Sequence, residues 1–121
     1  MSRWEPSDRL PPLNEPRKCH SSICLGQKLY VYGGTCDLRW PMTLNSIEIL
    51  DMSGRVGYGA DLIEPSWMMF SAREMVPRFD ARLCAVDDSH IMIAGGTVYD
   101  PDVPKQFRDT GEVWIFDTEK K

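Results

Sequence analysis

The residues of this 121-residue chain whose types could do chemistry are two histidines, four cysteines and a few acids that recur near the ends of apolar runs. A metal centre or catalytic triad would need His20 and His90 to converge with acids or thiols, and their spacing matches no ligand or triad pattern. The simpler roles are a hydrogen bond where the chain enters a strand for His20 and an exposed turn for His90. Cys19 beside His20 looks like a thiolate pair, but adjacent strand residues point to opposite faces, so neither can serve the other as base. Cys19, Cys24, Cys36 and Cys84 lack the CxxC spacing of zinc or redox sites. Cys24 and Cys84 lie in apolar runs, where a free thiol acts as a small hydrophobe. Reduced cysteines and a cytoplasmic or nuclear setting are therefore expected. Glu48, Asp51, Glu112 and Asp117 could pair as carboxylates for hydrolysis, yet their repeated placement at strand ends reads as turns and solvated faces. The "GYG" at 57–59 lacks the Lys and Ser or Thr of a phosphate loop. No catalytic residue, metal site or cofactor is expected.

Composition narrows the partner class. A net charge of -4 with no cluster of Lys and Arg gives no footprint for nucleic acid. The opening "MSRWEPSDRL" lacks the apolar centre of a signal peptide, and no run approaches the roughly 18 apolar residues that span a bilayer, so no membrane is required. With 42% hydrophobic residues the chain has material for one core.

The elements that must position any site emerge from an internal repeat. "PRKCHSSICLGQKLYVYGGT" (16–35) aligns with "PRFDARLCAVDDSHIMIAGGT" (77–97) after one extra residue in the middle. Each reads as a hairpin whose second strand ends at a Gly pair. A third strand follows in "LNSIEILD" (44–51) and "GEVWIFDT" (111–118), with Ile47 and Ile49, and Val113 and Ile115, marking one side at period two. Asp51 and Asp117 then suit turns. Trp67 opens a fourth strand leading to the second Pro-Arg, and "WEPSDRLPPLNEPR" (4–17) repeats its sense. The expected organisation is an outer strand of an incomplete blade over 1–17, a full blade over 18–78 and three strands of the next over 79–121. Each Gly pair follows an apolar strand although glycine weakens a strand.

Gly33, Gly34, Gly95 and Gly96 after apolar strands, "SIEILD" and "VWIFD", Trp67, and Arg17 and Arg78 after proline together resemble the kelch-repeat family. Leu50 departs from the aromatic usual there, and the insertion at 52–65 is long. The resemblance implies an all-β fold of kelch-type β-propeller blades, each of four antiparallel strands. It also implies a protein-interaction module, a substrate adaptor or scaffold, with the partner over the loops that link second to third and fourth to first strands. The matching positions are Thr35 to Thr43, Thr97 to Thr110, and Arg17, Lys18, Arg78, Phe79 and Asp80. Within them Arg39, Trp40, Tyr99, Lys105, Phe107 and Arg108 are the expected partner-binding residues, being of the aromatic and cationic types that anchor interfaces. Arg17 and Arg78 recur in register and are better read as braces of the blade junction. Propellers close with about 4 to 8 blades, so two cannot shield themselves. The chain is then either a piece of a longer propeller or a protomer completed by neighbours, such as a trimer of two-blade chains. The rival reading is a kelch-like enzyme, a copper oxidase or sugar epimerase.

Overall fold

The computed structural model of the chain describes residues 10–35, 44–53, 66–72, 74–99 and 107–119. These residues form strands and no helix. β1 (Ser21–Leu25) and β2 (Lys28–Tyr32) make the first hairpin, β3 (Ser46–Asp51) pairs with β2, and β4 (Trp67–Ser71) closes the sheet in the order β1-β2-β3-β4. All its pairs are antiparallel. The linker residues Arg78–Phe79 form β5, β6 (Arg82–Ala85) and β7 (His90–Ala94) make the second hairpin, and β10 (Val113–Asp117) pairs with β7. β8 (Thr97–Tyr99) and β9 (Phe107–Asp109) lie between them in sequence and join β5 in a small third sheet. The segment expected to be a loop from Thr97 to Thr110 thus contains a hairpin, because Val98 finds both Arg78 and Arg108 as ladder partners.

Period-two alternation decides which side chains enter the core. Tyr30, Tyr32, Ile47 and Ile49 share one face of the first sheet, and Ile91, Ile93, Trp114 and Phe116 share one face of the second; the two faces pack together. Tyr30 and Phe116 meet edge to face at 6.3 Å, a favoured aromatic geometry. In repeat register these faces are not equivalent. Tyr32 corresponds to Ala94 and Ile47 to Val113, so the buried face of the first sheet meets the opposite face of the second. Stacking of like-oriented units demands this, since each sheet offers one face forward and the other back.

Four expectations change accordingly. Val113 and Ile115 occupy the positions of Ile47 and Ile49 but are 59% and 54% exposed, because nothing among the described residues covers that face. Cys24 and Cys84 lie in strands yet are exposed free thiols, as is Cys19; Ile23 and Leu25 take the inward side of β1. Glu48 stands mid-strand with no exposed surface rather than on a solvated face, because Arg17 neutralises it. Residues 10–17, the described part of the segment read as an outer strand, form no strand. Pro11, Pro12 and Pro16 remove ladder donors there, and the segment meets the first sheet through hydrogen bonds to the Glu48 and Trp67 side chains and through Arg17. Residues 1–9, Cys36, the "GYG" at 57–59 and most of the 52–65 insertion fall outside the described residues.

Candidate interaction surface

The back of the first sheet is closed by a polar clamp. Glu48 accepts from the Asn14 N–H at 2.6 Å through Oε1, and from the Glu15 N–H at 3.0 Å and Arg17 Nη2 at 2.5 Å through Oε2. The Arg17 guanidinium also donates to the carbonyls of Gly33, Ser46 and Glu15 and to Ser46 Oγ. Both side chains of the pair are fully buried, and a buried charge is tolerated only with such complete pairing. Trp67 adds an indole N–H to the Pro11 carbonyl at 2.9 Å, so the opening strand residue of β4 also holds the incoming segment. Arg17 is therefore a brace between segment 10–17 and the strand ends at Gly33 and Ser46.

Arg78 takes the corresponding place at the second sheet with a poorer partner set. Its side chain is fully buried, Nε donates to the Val76 carbonyl as Arg17 Nε does to Glu15, and Nη2 reaches Glu112 at 3.3 Å. Trp114 stands where the first unit has Glu48, and among the described residues Arg78 Nη1 has no acceptor. Burial pushes the Tyr32 hydroxyl above the usual phenol range, with the Arg78 charge opposing it.

The Gly pairs do what the repeat requires. Gly33 and Gly34 have φ of +68° and +92°, Gly95 and Gly96 +69° and +99°. A Cβ on Gly33 would lie 2.6 Å from the Arg78 carbonyl oxygen, and one on Gly34 would collide with the Lys18 carbonyl. Cys19 and Asp80, at matching places in the two units, also adopt positive φ, 56° and 60°, and the Asp80 N–H donates to the Cys19 carbonyl at 2.8 Å.

Of the expected partner-binding residues, Arg39, Trp40 and Lys105 lie outside the described residues. Tyr99 ends β8 opposite Phe107, which opens β9. Phe107 is half-buried and stacks edge to face on Phe79 at 5.5 Å. Arg108 is exposed in β9 opposite Val98. The geometry thus gathers Tyr99, Phe107 and Arg108 on one hairpin.

His20 is exposed just before β1. His90 opens β7 and is clamped between two acids, Asp87 at 2.8 Å on Nδ1 and Asp117 at 3.4 Å on Nε2. Among the described residues no group of three His, Cys, Asp or Glu side chains is placed to hold a metal. The Asp87 hydrogen bond, helped by both acids' charge, raises the His90 pKa above its ordinary value against a smaller opposing effect of burial. The Asp87 carboxyl is held low, first by the Ser89 N–H and then by His90. A raised folded-state value means that the protonated clamp stabilises the fold fully below pH about 6.5 and that this contribution is lost as pH rises through the folded pKa. The His90 ring resonances are expected to titrate above the free-imidazole midpoint, and Asp87→Asn to bring the midpoint down. An unshifted wild-type midpoint contradicts the clamp.

The surface that sequence reasoning missed is the forward face and outer edge of the second sheet. Val113 and Ile115 project from β10 beside Met92 and Ala94 of β7, and their register with Ile47 and Ile49 was the available signal. An apolar cleft of about 550 Å³ opens between β4 and β10, lined by Phe70, Met75, Trp114, Ile115 and Phe116, with Glu74 at its side.

These features define the class: antiparallel blade-like sheets stacked front to back, with a Gly pair and a buried arginine at each junction. Residues 16–56, spanning Arg17, Gly33, Gly34 and Glu48, match the family model of the Kelch motif. Residues 16–56 are therefore similar to a kelch repeat, a motif that suggests a protein-interaction module of the propeller type. No curated protein matches the chain.

Proposed function

We propose that the chain works as a non-catalytic protein-interaction module, an adaptor or scaffold unit, that packs the forward face of its second sheet on another polypeptide. The β8–β9 hairpin, with Tyr99, Phe107 and Arg108, is the side offered to a bound partner, and Arg39, Trp40 and Lys105 are the further partner-binding residues of this reading. One observation carries this reading. The side chains equivalent to Val113 and Ile115 in the first sheet are 5% and 3% exposed under the second sheet, whereas Val113 and Ile115 themselves are more than half exposed. Contiguous exposed apolar side chains on a repeat unit mark a docking surface.

A ring of identical copies is supported less well. It would need the back of the first sheet to receive a neighbour's forward face, and there Val31 and Leu50 are 3% and 5% exposed while residues 14–17 are pinned by Glu48. A copy docking there must displace that clamp.

The test is a Val113→Lys, Ile115→Lys double variant. These side chains are outside the core, so the variant is expected to unfold within a few degrees of wild type, since surface substitutions usually change stability by less than about 0.5 kcal/mol. Binding of a hydrophobic dye should fall severalfold. A wild-type chain that binds no dye refutes the reading.

A further inference from the structure

We propose that the groove between the hairpin turns of the two sheets binds a small zwitterion, a free α-amino acid with an aliphatic side chain, whose two charged ends bridge the sheets. The groove, of about 310 Å³, lies at the far end of the strands from the β8–β9 hairpin, and this chain supplies both of its walls. The first sheet contributes Lys28 and Tyr30 of β2 and Asp51 at the end of β3; the second contributes Asp88 of the β6–β7 turn and Glu119 beyond β10. Tyr30 is 3% exposed, its ring in the core against Phe116, yet it lines this groove and its hydroxyl has no hydrogen-bond partner among the described residues. The one side-chain polar atom among the described residues that is both buried and unpaired belongs to Arg78, so the Tyr30 hydroxyl meets the groove and not the core. A polar group held at the tip of a buried ring and open to a cavity is a preformed hydrogen-bonding point for a ligand.

The repeat supplies a comparison for the charges. Lys28 opens β2 opposite Asp51 at the end of β3, as His90 opens β7 opposite Asp117 at the end of β10. His90 is taken up by Asp87 and Asp117, at 2.8 and 3.4 Å. Asp51 instead turns Oδ1 to the Ser53 N–H and hydroxyl, at 2.9 and 2.5 Å, and the half-buried Lys28 has no carboxylate within ion-pair distance among the described residues. The carboxylates of Asp88 and Glu119 likewise have no cationic partner among the described residues. One wall thus holds an ammonium and a phenol hydroxyl, the other holds two carboxylates, and no ion pair joins them. A ligand carboxylate on Lys28 and Tyr30, with the ligand ammonium on Asp88 and Glu119, supplies the missing partners on both sides. A lone cation would meet Lys28 and a lone anion would meet the acids, so both charges on one small molecule fit where either alone does not. Leu25 adds an apolar contact, and the volume stands at the small end of ligand sites.

The probe is L-valine, titrated into the full chain at low ionic strength and followed by amide NMR. Exposed charge pairs are individually weak, so half-saturation is expected at roughly millimolar ligand, with shifts confined to residues 25–30, 51–53, 86–90 and 117–119. N-acetylvaline and valinamide, each lacking one charge, should bind about tenfold more weakly or worse. Tyr30→Phe keeps the ring and removes the hydroxyl. It is expected to weaken valine binding severalfold while the thermal midpoint stays that of wild type, because that hydroxyl bonds to nothing else among the described residues. Lys28→Met should weaken valine binding about tenfold, as should Asp88→Asn combined with Glu119→Gln, and the latter pair should erase the preference for valine over N-acetylvaline. Absence of shifts at these amides, binding of either derivative as tight as that of valine, or undiminished valine affinity in Tyr30→Phe each overturn the proposal. The groove and the exposed face of β10 are separate surfaces, so the dye measurement on the lysine double variant neither supports nor weakens this site.

Discussion

Glu48→Ala is expected to destabilise the fold by about 3–5 kcal/mol, the cost typical of removing one partner from a buried ion pair. The loss comes from three donors at once. The Arg17 guanidinium is left charged with no exposed surface, and the N–H groups of Asn14 and Glu15 lose their acceptor. Glu48→Gln keeps a carbonyl acceptor but not the charge and should fall between Ala and wild type. Arg17→Met strands the carboxylate and should cost a similar amount to Glu48→Ala. Combined with Glu48→Leu it should cost less than the sum of the singles, because contacting residues are coupled. Urea unfolding midpoints with an unchanged slope measure these values, and limited proteolysis should cut within 10–17 faster in the Glu48 variants. A loss under about 1 kcal/mol for Glu48→Ala, the level of an exposed pair, contradicts the buried clamp.

The same pair shows what a sequence conceals. Both hairpins, the strands holding Ile47 and Ile115, and the strand opened by Trp67 were legible, since alternation and the Gly pairs are local signals. The role of Glu48 was not, because its partner lies 31 positions away and an acid between two isoleucines reads as the solvent side of a half-buried strand. Its clue is that β3 is apolar on one side and β10 on both, with Trp114 where β3 has Glu48. Which face of β10 would be buried was equally out of reach. Trp114 and Phe116, like Val113 and Ile115, satisfy period two, and only the front-to-back stacking of the sheets selects between them. Cys24 failed as a core residue for a related reason: Ile23 and Leu25 claim the inward side, and a two-residue period leaves Cys24 outside.

Gly34→Ala should cost about 3 kcal/mol or more, and Gly95→Ala much less, although both glycines have positive φ. Holding a residue with a Cβ at such angles costs on the order of 1–3 kcal/mol, and this term is common to both. Space separates them. At Gly34 the new carbon would sit 3.0 Å from the His20 nitrogen and 3.1 Å from its Cα, and closer still to the Lys18 carbonyl oxygen. All three are backbone atoms that no rotamer change can move, and the Lys18–Thr35 bridge would have to open. At Gly95 the nearest atom is the Thr110 carbonyl oxygen at 3.7 Å, an ordinary contact. Gly33, the true counterpart of Gly95, is crowded by the Arg78 carbonyl at 2.6 Å, and that carbonyl belongs to the linker into the second sheet. Gly95 is roomy because no following unit among the described residues brings a linker against it. Thermal unfolding of Gly33→Ala, Gly34→Ala and Gly95→Ala in isolation should therefore rank the first two far below the third. When the forward face is occupied by a blade-like partner, Gly95→Ala should weaken that association as Gly33→Ala weakens the fold. Equal penalties at Gly33 and Gly95 in the free chain would mean that the second junction is already filled.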